Sequence, residues 1–312
     1  MQKIQKLVEM LKLKCKCQGP FLFLFCLMLF NGFGQEKTKV LIDADTANEV
    51  DDAFALSIIL MDPAIEVTAL NAAQWQTAHW ATEKTMEDSH RLNQMLLGIM
   101  GLNLNLNRGG AARMYDWGDQ AQHSAAAYEI IEQAKAQSEG EKLNIIALGA
   151  LTNVASALFI DPSIAQSIRL YWLGTTYDFE KGILRKDDFN CQMDQFALSH
   201  LLFSEVEMHI IPVSVANQMT FDYDETRQNL ENHFLGDFLL KIWDDHIDGG
   251  RAERTIWDLS IVNAFLHPEW MEEVEITTSK DNGNRKVYYY KDFDAAKMRE
   301  DFFEKILSYK RP

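Results

Sequence analysis

Cysteine, proline and glycine are all scarce in this chain of 312 residues, which holds 4, 6 and 16 of them. So little glycine and proline excludes collagen-like and low-complexity disordered classes. Three of the cysteines (Cys15, Cys17, Cys26) fall near the N-terminus, which leaves Cys191 alone in the rest of the chain. That body can hold no intramolecular disulfide. Positive charge is short as well: 30 Lys and Arg stand against 46 Asp and Glu, a formal charge of −16. Such a surface repels phosphate backbones and anionic lipid, so neither nucleic acid nor a membrane surface is an expected partner. Apolar residues nonetheless reach 47% and charged residues 24%, ordinary values for a globular protein with a sizeable core.

The N-terminal segment reads separately. Met1–Pro20 carries five lysines and one acid, Glu9, and the apolar run Phe21–Phe30 precedes Asn31-Gly32-Phe33-Gly34. A basic stretch, a short apolar core and small residues before Gln35 predict a signal peptide over 1–35, cleaved near Gly34/Gln35, and a secreted or periplasmic protein. The run is about half the ~20 residues that a membrane-spanning helix needs. The basic stretch is long for a signal, and Met10 is a second candidate start. Cys15 and Cys17 lie inside this segment, so their pairing is not read as a metal site.

Residues 36–312 read as a single domain. An apolar helical run, then X-Pro, then a short apolar strand recurs at Asp62-Pro63, Asp161-Pro162 and His267-Pro268. Proline disfavours helix at the residue before it, so each X-Pro marks a helix end. Strands are predicted at Lys39–Ile42, Ile65–Leu70, Leu143–Leu148, Ile168–Leu173, Met208–Val213 and Val274–Thr277, with Val287–Tyr290 as a late edge strand. Helices are predicted at 52–61, 80–100, 124–138, 151–160, 193–204, 224–245, 256–266 and 294–309. Their alternation predicts an α/β fold: an open, mostly parallel sheet with helices on both faces.

The densest signal follows the first strand. Asp43, Asp45, Glu49, Asp51 and Asp52 place five acids within ten residues. In open α/β sheets ligands bind at that end of the strands. Capping a helix needs one or two of these acids, and crowding the rest costs repulsion that a hard cation would relieve. An EF-hand is excluded, because its glycine and glutamate positions, counted from Asp43, hold Asn48 and Phe54.

These residues resemble the nucleoside hydrolase family of the inosine–uridine-preferring type. Asp43-Ala44-Asp45 and Asp51-Asp52-Ala53-Phe54-Ala55-Leu56 match its opening motif, across a turn two residues longer than in the best-known members. Gly149-Ala150-Leu151-Thr152-Asn153, Asp188-Phe189-Asn190 followed by Asp194, and Trp257-Asp258 match three further hallmarks in order. The resemblance implies Ca²⁺ held by Asp45, Asp52, Asp258 and the backbone carbonyl of Leu148. It implies Asp45 as general base, and Asp51, Asp188 and Asn190 as ribose contacts. The implied reaction is hydrolysis of the N-glycosidic bond of a nucleoside or related riboside, through a cation-like sugar that an acidic pocket suits. A dimer or tetramer is implied too.

The departures are specific. A histidine that can protonate the leaving base is replaced by Trp257, which can stack on substrate but not donate a catalytic proton. Gly182 stands where a ribose-binding Asn belongs. His79 and His246 are the alternative acids, and Asn48 and Glu49 of the longer turn can reach metal or substrate. Trp75, Trp80 and Trp117 supply aromatics of unassigned role. Two other readings stay open: a Mg²⁺ phosphatase of the haloacid dehalogenase type, opening on Asp43-x-Asp45, and a non-catalytic calcium- and sugar-binding protein.

Overall fold

The computed structural model describes residues 37–114 and 120–312. The predicted leader with its three cysteines, and Trp117, lie outside the described residues. Thr38–Pro312 form one compact unit.

Strand β1 (Thr38–Ala44) leads into helix α1 (Asp51–Met61), followed by β2 (Ile65–Ala72), α2 (Thr85–Met100) and β3 (Leu106–Arg108). Next come α3 (Ala125–Lys135), β4 (Leu143–Ala147), α4 (Thr152–Ile160) and β5 (Ile168–Leu173). A small hairpin, β6 (Thr176–Asp178) and β7 (Ile183–Arg185), precedes α5 (Phe189–Met193), α6 (Gln195–Leu202) and β8 (Glu207–Ile211). The chain ends with α7 (Val213–Ala216), β9 (Thr220–Asp222), α8 (Tyr223–Leu230), α9 (Phe234–Asp245), β10 (Glu253–Thr255), α10 (Trp257–Leu266), β11 (Met271–Thr277), β12 (Lys286–Phe293) and α11 (Ala295–Ser308).

Eight strands form the main sheet in the order β11-β12-β8-β5-β4-β1-β2-β3, parallel except for the β11–β12 pair. Helices cover both faces, so β1 is apolar on both sides: Val40, Ile42 and Ala44 enter one core and Leu41 the other. Between β4 and β1 the connections diverge, β1 running on to β2 on one side while β4 runs on to β5 on the other. That switch point is where an open α/β sheet leaves a crevice beyond its strand ends.

Helix α1 is buried from Asp51 through Ile59, as its lack of a polar face requires. Phe54 fixes its position, stacking on Phe302 at 5.4 Å and meeting Phe221 edge-on at 6.2 Å. Truncating such a buried ring costs about 3–5 kcal/mol. The anchor sits less than one turn from Asp51 and Asp52.

The largest departures from the sequence expectation are these. The 80–100 helix starts at Thr85, because turns occupy the preceding stretch. The 193–204 helix is two helices broken at Asp194, and the 224–245 helix breaks at Asn232, whose φ of 69° is left-handed. Val287–Tyr290 belongs to an inner strand: β11 pairs outside it through the Lys280–Gly283 turn and takes the edge. Among the described residues no helix is long and apolar enough to cross a membrane.

Candidate active site

A cavity of about 230 Å³ opens at the switch point and is lined by Asp45, Asp51, Asp52, Asp188, Asn190, Leu148, Trp257 and Asp258. Every residue implied as a site residue therefore reaches one place. Asn48, Glu49, Trp80, Leu173, Phe189 and Val213 complete the wall.

Asp45 follows β1 directly, Leu148 follows β4, and the two strands pair with Asp43 opposite Ala147. Asp51 and Asp52 occupy the first turn of α1, and Asp258 that of α10. Two positive helix ends thus face the same carboxylates. Asp258 N–H donates to Asp51 Oδ2 at 3.2 Å, which ties the two helix starts together. Ligand atoms of Asp51, Asp52 and Asp258 lie within 4.8 Å of one another. Asp45 stands beside this triplet and raises the proton affinity of Asp52 and Asp258 by its charge.

The electrostatics describe an unrelieved cluster. Burial raises the carboxyls of Asp45 and Asp51 to about 7, with charge from Asp43 and Glu49 adding to the first and from Glu49 to the second. Burial, then the neighbouring aspartates, push Asp52 and Asp258 well above the usual range. Asp45 Oδ2 and Asp52 Oδ1 are buried without a hydrogen-bond partner. Buried polar atoms left this way ordinarily cost free energy, so the cluster is built for a ligand that supplies positive charge. A cation that accepts oxygen donors fits: Asp51, Asp52 and Asp258 converge, and Asp52 and neighbouring Asp45 each carry an unpartnered oxygen. Gly149 confirms how tightly Asp45 is seated, since a Cβ there would stand 2.4 Å from Asp45 Oδ1.

The remaining motif residues divide between site and support. Asn190 donates its side-chain amide to the carbonyls of Leu148 at 2.7 Å and Leu173 at 3.0 Å. Asp188 caps α5 by accepting from Cys191 N–H, and burial raises its carboxyl. Thr152, Asn153 and Asp194 are scaffold. Asn153 joins Asp43, the Ala72 carbonyl and Gly110 N–H, while Asp194 accepts from Thr152 and Met114 and caps α6. Gly182 occupies the β6–β7 turn with φ of 65°, a conformation that favours glycine over Asn.

Neither histidine lines the cavity. His79 is exposed and meets Trp80 edge-on. His246 is bound to the Asn48 carbonyl at 3.1 Å and to Asp248 at 2.5 Å. Trp257 and Trp80 both line it, with their indole N–H groups committed to Asn217 and Asn48, so each offers ring surface alone. Trp80 also stacks on Phe189 at 5.6 Å. Aromatic density around residue 75–80 marked this region without separating cavity-lining Trp80 from buried Trp75. Nothing in the sequence pointed to Arg254, a buried side chain of β10 that reaches Glu49.

Comparison with known proteins agrees with this geometry. The family model described as inosine-uridine preferring nucleoside hydrolase matches residues 40–300. Two curated rice (Oryza sativa subsp. japonica) proteins are similar: probable uridine nucleosidase 2, 24% identical over 74% of this chain and 75% of its own, and probable uridine nucleosidase 1, 23% identical over 75% and 78%. Among solved structures, an inosine-guanosine nucleoside hydrolase superposes with a TM-score of 0.67 at 16% identity, over 87% of this chain and 99% of that one. A purine-preferring ribonucleoside hydrolase from Gardnerella vaginalis gives 0.63 at 18% identity, over 86% and 98%.

Proposed function

The chain belongs to the inosine-uridine preferring nucleoside hydrolase family and is an N-ribosyl hydrolase, and from that premise we propose a Ca²⁺-dependent hydrolase of nucleosides in which Asp45 is the general base. The observation that carries this reading is the convergence of Asp45, Asp51, Asp52 and Asp258 on one cavity at the strand ends, with two buried oxygens unpartnered.

Asp45, Asp52, Asp258 and the Leu148 carbonyl would hold the ion, with Asp51 beside them. Bound there, a divalent cation lowers the pKa of water and offsets the crowded negative charge. Asp45 accepts the proton of the attacking water at its free Oδ2. Asp51 and Asp188 accept hydrogen bonds from ribose hydroxyls. Asn190 has spent its N–H groups on two carbonyls, so its Oδ1 is the atom left for a hydroxyl. As the glycosidic bond lengthens, positive charge grows on the sugar, and the buried carboxylates stabilise it. The Trp257 and Trp80 faces border the aglycone, which leaves without a histidine proton donor.

The phosphatase reading fails on its nucleophile. Asp43 is fully buried, bonded to Asn153 and absent from the cavity wall. A secreted or periplasmic protein, cleaved near Gly34/Gln35, and a dimer or tetramer belong to the same proposal; N-terminal sequencing of the mature protein and light scattering test them. For the reaction itself, reducing sugar released from uridine and inosine is compared with phosphate released from phosphoesters, each with and without chelator. Chelator-sensitive ribose release supports the reading; calcium and ribose binding without turnover makes the protein a non-catalytic member, and phosphate release alone overturns the assignment.

A further inference from the structure

Six carboxyl side chains line the cavity: Asp45, Glu49, Asp51, Asp52, Asp188 and Asp258. Among the described residues no Lys, Arg, His or Tyr does so, and Arg254 and His246 reach Glu49 without lining the cavity themselves. A divalent cation on Asp45, Asp52 and Asp258 offsets part of this charge and leaves the wall acidic. The other polar groups have no proton to give. Asn190 holds two carbonyls with its amide, and the indole N–H groups of Trp80 and Trp257 are bonded to Asn48 and Asn217. Trp80, Phe189 and Trp257 add aromatic ring surface to the same wall.

Such a wall discriminates between leaving groups wherever in the cavity they sit. A neutral nucleoside sheds its base as an anion unless a proton reaches the base as the bond breaks. An anion forming among ionised carboxylates is repelled, and no cationic side chain faces it. An aglycone already cationic at the glycosidic nitrogen meets neither difficulty. Carboxylates and ring faces attract it while it is bound, and it departs neutral. We propose that the site is selective for N-ribosides of a quaternary aromatic nitrogen, the ribosylated pyridinium class. This rests on the nucleoside hydrolase reading and names its substrate. The C1′–N bond breaks with its electron pair passing to the ring nitrogen, so the pyridinium becomes a neutral pyridine. Positive charge moves to the sugar, water adds at C1′, and the proton of that water goes to Asp45. No proton donor enters the balance.

The test measures ribose release, in calcium, from 1-β-D-ribosylnicotinamide, uridine and inosine. Each kcat/KM is divided by the rate of uncatalysed hydrolysis in the same buffer, which removes differences in intrinsic lability. A positioned proton donor contributes about 10²–10⁴-fold, and its absence sets the expected gap. The pyridinium riboside is accelerated at least about a hundredfold more than either neutral nucleoside. Uridine or inosine accelerated to within that factor overturns the proposal and leaves the hydrolase reading standing. If none of the three releases ribose, the hydrolase reading itself fails and the substrate class falls with it. The pH profile reads the same point independently. With no acid required, kcat for the pyridinium riboside does not fall between about pH 6 and 9, whereas an essential acid produces a descending alkaline limb. Such a limb overturns the proposal.

Discussion

The side-chain amide of Asn190 donates to the Leu148 carbonyl at 2.7 Å, which joins a residue proposed to bind sugar to a carbonyl proposed to bind metal. Leu148 keeps a second lone pair for an ion, oriented by a donor that also grips Leu173. Asn190 is thus a hinge between the two halves of the site. Asn190→Ala leaves two buried carbonyls without their donor, at a cost of about 1–3 kcal/mol. Thermal melting should fall by several degrees, and kcat/KM for ribose release should fall with it; unchanged values for both contradict the role.

Asp45→Asn keeps the shape of the seat against Gly149 but removes the proton acceptor. Loss of a positioned base costs roughly 10²–10⁴-fold in rate. Ribose release should drop in that range while circular dichroism stays native. Turnover at the original rate removes Asp45 as base.

Asp258→Ala separates stability from binding. Removing one of several mutually repelling buried acids raises the melting temperature of the cation-free protein. The same change weakens calcium binding by at least about tenfold, on the scale of 1.4 kcal/mol. A variant that binds calcium as tightly as the parent places Asp258 outside the coordination set.

Acid pH should favour the cation-free protein. Asp43, Asp45 and Asp51 are each raised by burial to about 7 in the folded state, against ~3.9 for a free aspartate. Their contribution to stability is complete below pH ~4, shrinks as pH rises toward 7 and is gone above it. Melting temperature in chelator should therefore fall between about pH 4 and pH 7, and calcium should restore most of the loss. A flat profile in chelator contradicts the buried, crowded cluster.

Much of this site is legible in the chain because its parts are local. Asp43 through Asp52 sit between the end of one strand and the start of one helix, and apolar runs mark both elements. Strand β5 is bounded in the structure where its apolar run is bounded in the sequence. Asn232 broke a predicted helix because a polar residue can take a left-handed φ that helical periodicity does not register. The position of β12 inside the sheet depends on which strand pairs beyond it, a long-range fact absent from its own residues. Arg254 and Trp80 were illegible for the same reason. The first meets Glu49 from 205 residues away, and the second faces the cavity only because Asn48 and Phe189 hold it there.

Electron density from crystals grown with calcium and ribose tests the central claim most directly. The account predicts one ion peak at about 2.3–2.6 Å from oxygens of Asp45, Asp52, Asp258 and Leu148, with ribose hydroxyls against Asp51, Asp188 and Asn190. Ribose seated elsewhere, or an ion held by none of these carboxylates, contradicts it.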